Sequence, residues 1–217
     1  MDADSIRRAI GQEYIRRGHR LGWRLLASPW KTTERADIAF LGINPGGGSR
    51  ETDHGELSTE NGSAYEIEAW AGYPAGASPL QKQVRGLFET LGVAARDVLA
   101  GNLVPFRSPN INALPDRQAA VEFGIDLWTR LLATARPKLV IGMGGDTHAA
   151  LLGIAGISPS DVETKLSGWG TVRVKRAAGG RFDLAMLPHL SRFQIVGHPR
   201  CDDAVRWALE PFLSRQR

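Results

Sequence analysis

Four short apolar runs, each closed by residues that are costly to bury, limit what this chain can fold into. Asp37 to Ile43, Val98 to Phe106, Lys138 to Gly142 and Asp183 to Leu187 are continuous rather than alternating, the mark of strands covered on both faces. Between them lie segments of helical spacing. Leu80 to Leu91 is one, and Arg117 to Ala135 is another, with Val121, Ile125, Leu127, Leu131 and Leu132 inward. A short helix follows Gly144-Gly145-Asp146 and runs to Leu152, a β-ribbon lies near Gly170 to Arg176, and a closing helix spans Asp202 to Leu213. Strand and helix in alternation predict an α/β fold, a three-layer α/β/α sandwich around a four-stranded, mainly parallel sheet. At the N-terminus, Ile6, Ile10, Tyr14, Leu21 and Leu25 recur at near-helical spacing, which predicts one long helix from Asp4 to about Ala27.

The length of 217 residues suits a single domain over 1–217, with the basic helical segment 1–35 packed on it. Hydrophobic residues at 42% and charged residues at 23% exclude a disordered chain and a coiled coil. Cys201 is the sole cysteine, which excludes intrachain disulfides, four-thiolate iron–sulfur clusters and cysteine-built zinc sites. Its solitude predicts a reducing, cytoplasmic setting and a structural role. No apolar run approaches the roughly 18 residues of a membrane span, so no membrane partner is expected. A net charge of +4 is too small to identify a nucleic-acid binder, but it is unevenly spread. The first 35 residues carry eight cations and four anions, residues 36–164 nine and fifteen, and residues 165–217 ten and four. If the basic ends pack together, one face is positive.

In open α/β sheets, ligands bind outside the carboxyl ends of the strands. Three of the four strands end in Asn44, Asn102 and His189. A carboxamide offers a donor and an acceptor in one plane, which suits the edge of a nucleobase; a histidine can donate to developing negative charge. The competing readings are structural: Asn44 as a turn residue before Pro45, Asn102 as a satisfied buried amide, and His189 as a core histidine. Gly142-x-Gly144-Gly145 lacks the spacing of a dinucleotide fingerprint, and His148 reads as a capping or packing residue. Asp53, His54 and Glu56 have metal-binding types, but in a long polar loop they read as solvated side chains, so no metal is expected.

Gly42-Ile43-Asn44-Pro45-Gly46 resembles the Gly-Ile-Asn-Pro-Gly motif of the mismatch-specific branch of the uracil-DNA glycosylase superfamily. Gly101-Asn102-Leu103-Val104-Pro105 resembles the Asn-Leu-x-Pro segment of the single-strand-selective branch. Pro188-His189-Leu190-Ser191-Arg192-Phe193 resembles the superfamily's His-Pro-Ser motif, with Leu190 in place of proline, and Arg136 to Val140 its helix-to-strand junction. The likeness covers residues 36–213. Two departures stand out: Gly72-Tyr73-Pro74-Ala75-Gly76 has alanine where the family's stacking phenylalanine belongs, and the pairing of Asn44 with His189 follows the single-strand-selective branch.

The resemblance implies excision of uracil from single- or double-stranded DNA by a monofunctional glycosylase, with free uracil as product and no cofactor. Asn44 and His189 would be catalytic, Asn44 holding the attacking water and His189 donating to uracil O2. Gly42, Ile43, Asn102 and an aromatic group, Tyr73, Trp70 or Tyr65, would bind the base. Gly46, Gly47, Ser191, Arg192 and Phe193 would meet the DNA, with Phe193 or Arg192 filling the gap left by the flipped base; for Phe193 the rival reading is core packing. His198-Pro199 is a rival for the histidine motif. Two other functions stay open: a non-hydrolytic member of the same fold that binds damaged or single-stranded DNA, and a nucleotide-binding α/β enzyme acting on small molecules. A monomer is expected.

Overall fold

The computed structural model describes residues 2–50 and 55–214. Helix α1 (Ala3–Arg16) starts where the Asp2 carboxylate accepts from the amides of Asp4 and Ser5, and buries Ile6 and Ile10. It ends eleven residues before the expected boundary at Ala27, because Gly18 and Gly22 take positive φ angles of 71° and 87°. The spacing of Leu21 and Leu25 that mimics a helix belongs to extended chain. Residues 23–27 run antiparallel along the outer edge of β2 (Leu99–Asn102), with bridges from Trp23 to Phe106 and Leu26 to Gly101. They thereby cover a sheet edge that would otherwise be open.

The sheet contains β1 (Ile38–Gly42), β2, β3 (Leu139–Met143), β4 (Glu163–Leu166), β5 (Arg173–Ala177) and β6 (Asp183–Leu187) in the order β2-β1-β3-β6-β5-β4. Six strands replace the four expected. The parallel part β2-β1-β3-β6 corresponds to the four apolar runs, while β5 and β4 add an antiparallel ribbon beyond β6. Exposed Glu163 and half-buried Lys165 made β4 illegible as a strand, and such charges are what an outer edge tolerates.

Helices α2 (Ala64–Ile67), α3 (Pro79–Thr90), α4 (Arg117–Ala135), α5 (Gly145–Ala155) and α6 (Asp202–Leu213) complete the chain with α1. The pleat divides the core. Ala39, Leu41, Val140, Leu184 and Met186 face a layer that includes Ile10, Trp128, Leu131 and Leu151, from α1, α4 and α5. Ile38, Phe40, Ile141, Ala185 and Leu187 face Leu87, Phe88, Val205 and Leu209, from α3 and α6. Among the described residues no helix is long and apolar enough to cross a membrane.

Candidate active site at the strand ends

Beyond the sheet, the chains leaving β1 and β2 stay zipped together. Leu103 N–H donates to Gly42 O (2.9 Å), Val104 N–H to Ile43 O (2.8 Å) and Ser108 N–H to Pro45 O (3.2 Å). This holds half-buried Asn44 against Ser108. The Ser108 hydroxyl donates its single proton to Asn110 O at 2.7 Å, so toward Asn44 it can only accept. Asn44 therefore turns its amide nitrogen to Ser108 Oγ (3.0 Å) and to Pro45 O (3.0 Å). Its Oδ1 accepts no hydrogen bond from the described residues and remains an acceptor for a water molecule.

Asn102, which pairs in register with Gly42, is fixed from its backbone. Its N–H donates to Leu25 O (3.0 Å), and its carbonyl accepts from the Trp128 indole (2.7 Å). The half-buried carboxamide makes no hydrogen bond to any described residue. It extends over Gly42, where an added Cβ would lie 3.3 Å from Asn102 Oδ1 and 3.4 Å from Met143 Cε. A side chain there would crowd the space beside the amide.

His189 follows β6, two strands from β1, a separation of about 10 Å that leaves room for a pyrimidine ring. Its Nδ1 lies 2.7 Å from Ser191 Oγ. Donation by that hydroxyl leaves the proton of the neutral ring on Nε2, free to point at a ligand. Burial, followed by the charge of Arg192, lowers the His189 pKa below its ordinary value, so the ring is neutral at pH 7. Gly144, at a φ of 90°, passes close beside it: a Cβ there would lie 3.9 Å from His189 Cδ2. His148 spans β3 and β6 instead, its Nε2–H donating to Gly142 O (3.0 Å) and Leu187 O (2.9 Å).

Burial is the leading cause of a lowered pKa at His19, His148 and His189 alike. The unfolded chain, titrating near 6.5, then binds more protons than the folded one between the two values. Their contribution to stability is complete above the unfolded value and is lost as pH falls through the lowered folded values. Urea midpoints are accordingly expected to drop on going from about pH 7.5 to 5.5, and His19→Leu should flatten that drop. An unchanged midpoint in the wild-type chain would contradict this.

The remaining residues are placed less uniformly. Gly46 and Gly47 are exposed, and the Gly46 carbonyl accepts from the Arg107 guanidinium. Ser191 and Arg192 are exposed, and Ile43 is half-buried against the α1/α4/α5 core. Phe193 is half-buried and packs on the other core, the arrangement of a packing residue with one side accessible. Tyr73 is 46% exposed and touches none of Asn44, Asn102 or His189 through a described bond or ring contact. Tyr65 is committed to the core, edge-on to Phe40, Phe88 and Trp70, with burial raising its phenol pKa. Trp70 is half-buried, and its indole donates to Glu68 (2.9 Å).

His198 stands off this line, edge-on to Trp169, with Cys201 Sγ 3.9 Å from its Nδ1. Cys201 is fully buried. Asp53 and His54 lie outside the described residues; among those described, no group of three or more His, Cys, Asp or Glu is arranged to hold a metal. Ser108 was not apparent from the sequence as a site residue, since only the fold brings it to Asn44. A depression lined by Arg35, Asp37, Val93 and Asp97 lies at the opposite end of the strands and contains neither amide nor histidine.

The mainly parallel sheet thus carries two carboxamides and a histidine of lowered pKa along one end of its parallel strands. Residues 29–202 match the model of the uracil DNA glycosylase superfamily, and the chain belongs to that superfamily. No curated protein matches the chain significantly. A solved structure from Bordetella bronchiseptica, a domain of unknown function with bound citrate, is similar at 15% identity and a TM-score of 0.36. The match covers 84% of this chain and 43% of that one, so this chain spans less than half the length of that protein, and so remote a likeness carries no argument.

Proposed function

We propose that the protein is a monofunctional uracil-DNA glycosylase, which extrudes uracil from DNA and hydrolyses its N-glycosidic bond to leave an abasic site. The observation that carries the reading is the Asn102 carboxamide, without a hydrogen bond to any described residue, fixed by its backbone at the end of β2 and facing the space kept open by Gly42. Its oxygen suits uracil N3–H and its amide suits O4. Cytosine presents the opposite pattern, and the mismatch would leave buried polar groups unpaired.

In this reading Asn44 Oδ1 holds the water that attacks C1′ of the deoxyribose. The C1′–O bond forms and the C1′–N1 bond breaks, with its electron pair passing to the base and delocalising onto O2. There His189 Nε2–H donates a hydrogen bond, a preorganised interaction worth roughly 3 to 4 kcal/mol of barrier. The water's proton leaves to solvent, and the uracil anion is protonated on release. An amide is no strong base, but an electrophile this reactive needs chiefly an oriented nucleophile. The exposed Gly46, Gly47, Ser191 and Arg192 would meet phosphates, and Phe193 or Arg192 would occupy the vacated stack. The drawn chemistry uses a single chain and no cofactor, and buried Cys201 suits a cytoplasmic setting.

The test uses labelled oligonucleotides bearing one uracil or one cytosine, followed by alkali. Strand breaks at uracil alone, unaffected by EDTA and strongly reduced in Asn102→Asp, are expected. Intact strands, or an Asn102→Asp protein with the same rate and base preference, would count against the reading.

A further inference from the structure

The β4–β5 ribbon, foreseen near Gly170 to Arg176 but not as part of the sheet, has its turn at the same end of the sheet as Asn44, Asn102 and His189. Lys175 pairs with Met186 antiparallel, and Leu166 pairs with Arg173, so the turn joining β4 to β5 projects past Leu187 alongside His189. It lies one to two strand spacings from the end of β6, about 5 to 10 Å. The turn is built firmly. Ser167, fully buried, donates its N–H to Val172 O (2.8 Å), and its hydroxyl accepts from Trp169 N–H (3.1 Å). Gly168 sits so close to the Arg200 carbonyl that a Cβ would collide with it, which seats the turn on the segment that follows the His189 loop.

At its tip Trp169 is 38% exposed, with the His198 ring edge-on at 5.3 Å. Around it the charge is positive. Arg173, Arg192 and Arg200 are exposed and form no ion pair among the described residues. The nearby acids of α6 are neutralised, Asp203 by Lys165 (2.5 Å) and Asp202 by Arg206 (2.9 Å). An accessible indole among unpaired arginines, rigidly held, is poorly suited to an apolar protein partner and well suited to a polyanion that carries aromatic rings.

We propose that Trp169 is a stacking platform for a base neighbouring the extruded nucleotide, with Arg173, Arg192 and Arg200 gripping the adjoining phosphates. The inference rests on the reading of the crevice as a DNA site, but it concerns a contact outside the base pocket and independent of hydrolysis. It is tested with single-stranded oligonucleotides that carry 2-aminopurine at successive positions beside one uracil, and with a fluorescein-labelled all-thymine strand followed by anisotropy.

Wild-type protein is expected to quench 2-aminopurine at one or two adjoining positions. Trp169→Ala should abolish that quenching and weaken binding of the all-thymine strand by about tenfold, while Trp169→Phe restores most of it. Thermal unfolding of each variant checks that the turn survives. Equal affinity and equal quenching in wild type and Trp169→Ala overturn the inference, as does a dimer that dissociates in Trp169→Ala. The two readings separate cleanly: Trp169-dependent binding and quenching without uracil release removes only the glycosylase, and uracil release with binding and quenching indifferent to Trp169 removes only the platform.

Discussion

Replacement of His189 by alanine is expected to lower the single-turnover rate of uracil excision about 10²- to 10³-fold, with little change in affinity for the substrate strand. The asymmetry follows from where the hydrogen bond acts. Uracil O2 is a weak acceptor while the glycosidic bond is intact and a strong one as negative charge accumulates, so Nε2–H contributes chiefly to the transition state. Donation by the Ser191 hydroxyl, 2.7 Å from Nδ1, would hold the ring in its Nε2–H tautomer. Ser191→Ala should therefore cost less than removal of the ring, because Nε2 can still carry the proton for part of the time. Rates from quenched reactions at saturating enzyme separate the two effects. A fully active His189→Ala protein would remove the ring from the chemistry and leave Asn44 and Asn102 to explain it.

The largest expected loss of stability lies away from the crevice, in the buried pair Arg24 and Glu68. The Arg24 guanidinium meets both carboxylate oxygens, at 2.6 and 2.5 Å, and also donates to Thr59 Oγ1 and Leu26 O. Trp70 donates to the same carboxylate (2.9 Å), so the cluster ties residues 23–27, which cover β2, to the loop that carries α2 and Trp70. Arg24→Ala withdraws a buried guanidinium from the Glu68 carboxylate, a change expected to destabilise the fold by about 3 to 5 kcal/mol. Glu68→Ala should cost a similar amount. Replacing both together, Arg24→Met with Glu68→Leu, should recover much of the loss, since it removes both charges of the pair. Urea unfolding of the two single variants and the double variant forms the cycle; additive losses would contradict the coupling.

The parallel strands were legible because each is buried on both faces and so reads as a run of apolar residues, and Asp183–Leu187 needed no adjustment. Asn102 was legible for a related reason: a carboxamide closing such a run is conspicuous. What escaped was either polar at an edge or non-local. Glu163–Leu166 looks like loop because its side chains face water on the outermost strand. Leu21 and Leu25 satisfied a helical period that Gly18 and Gly22 do not permit. Ser108 reaches Asn44 across 64 positions of sequence, and Arg24 reaches Glu68 across 44, distances over which spacing carries no signal. The aromatic partner of the base was the weakest part of the pattern. Tyr65 is turned into the core, and Tyr73 stands exposed.

Release of free uracil bears most directly on the account. Purified protein is incubated with a DNA strand containing a single uracil, and the base is quantified by chromatography beside Asn102→Ala treated identically. Stoichiometric uracil from the wild-type chain and almost none from the variant is the expected result. A strand that is bound but yields no uracil would contradict it and make the crevice a site of recognition without hydrolysis.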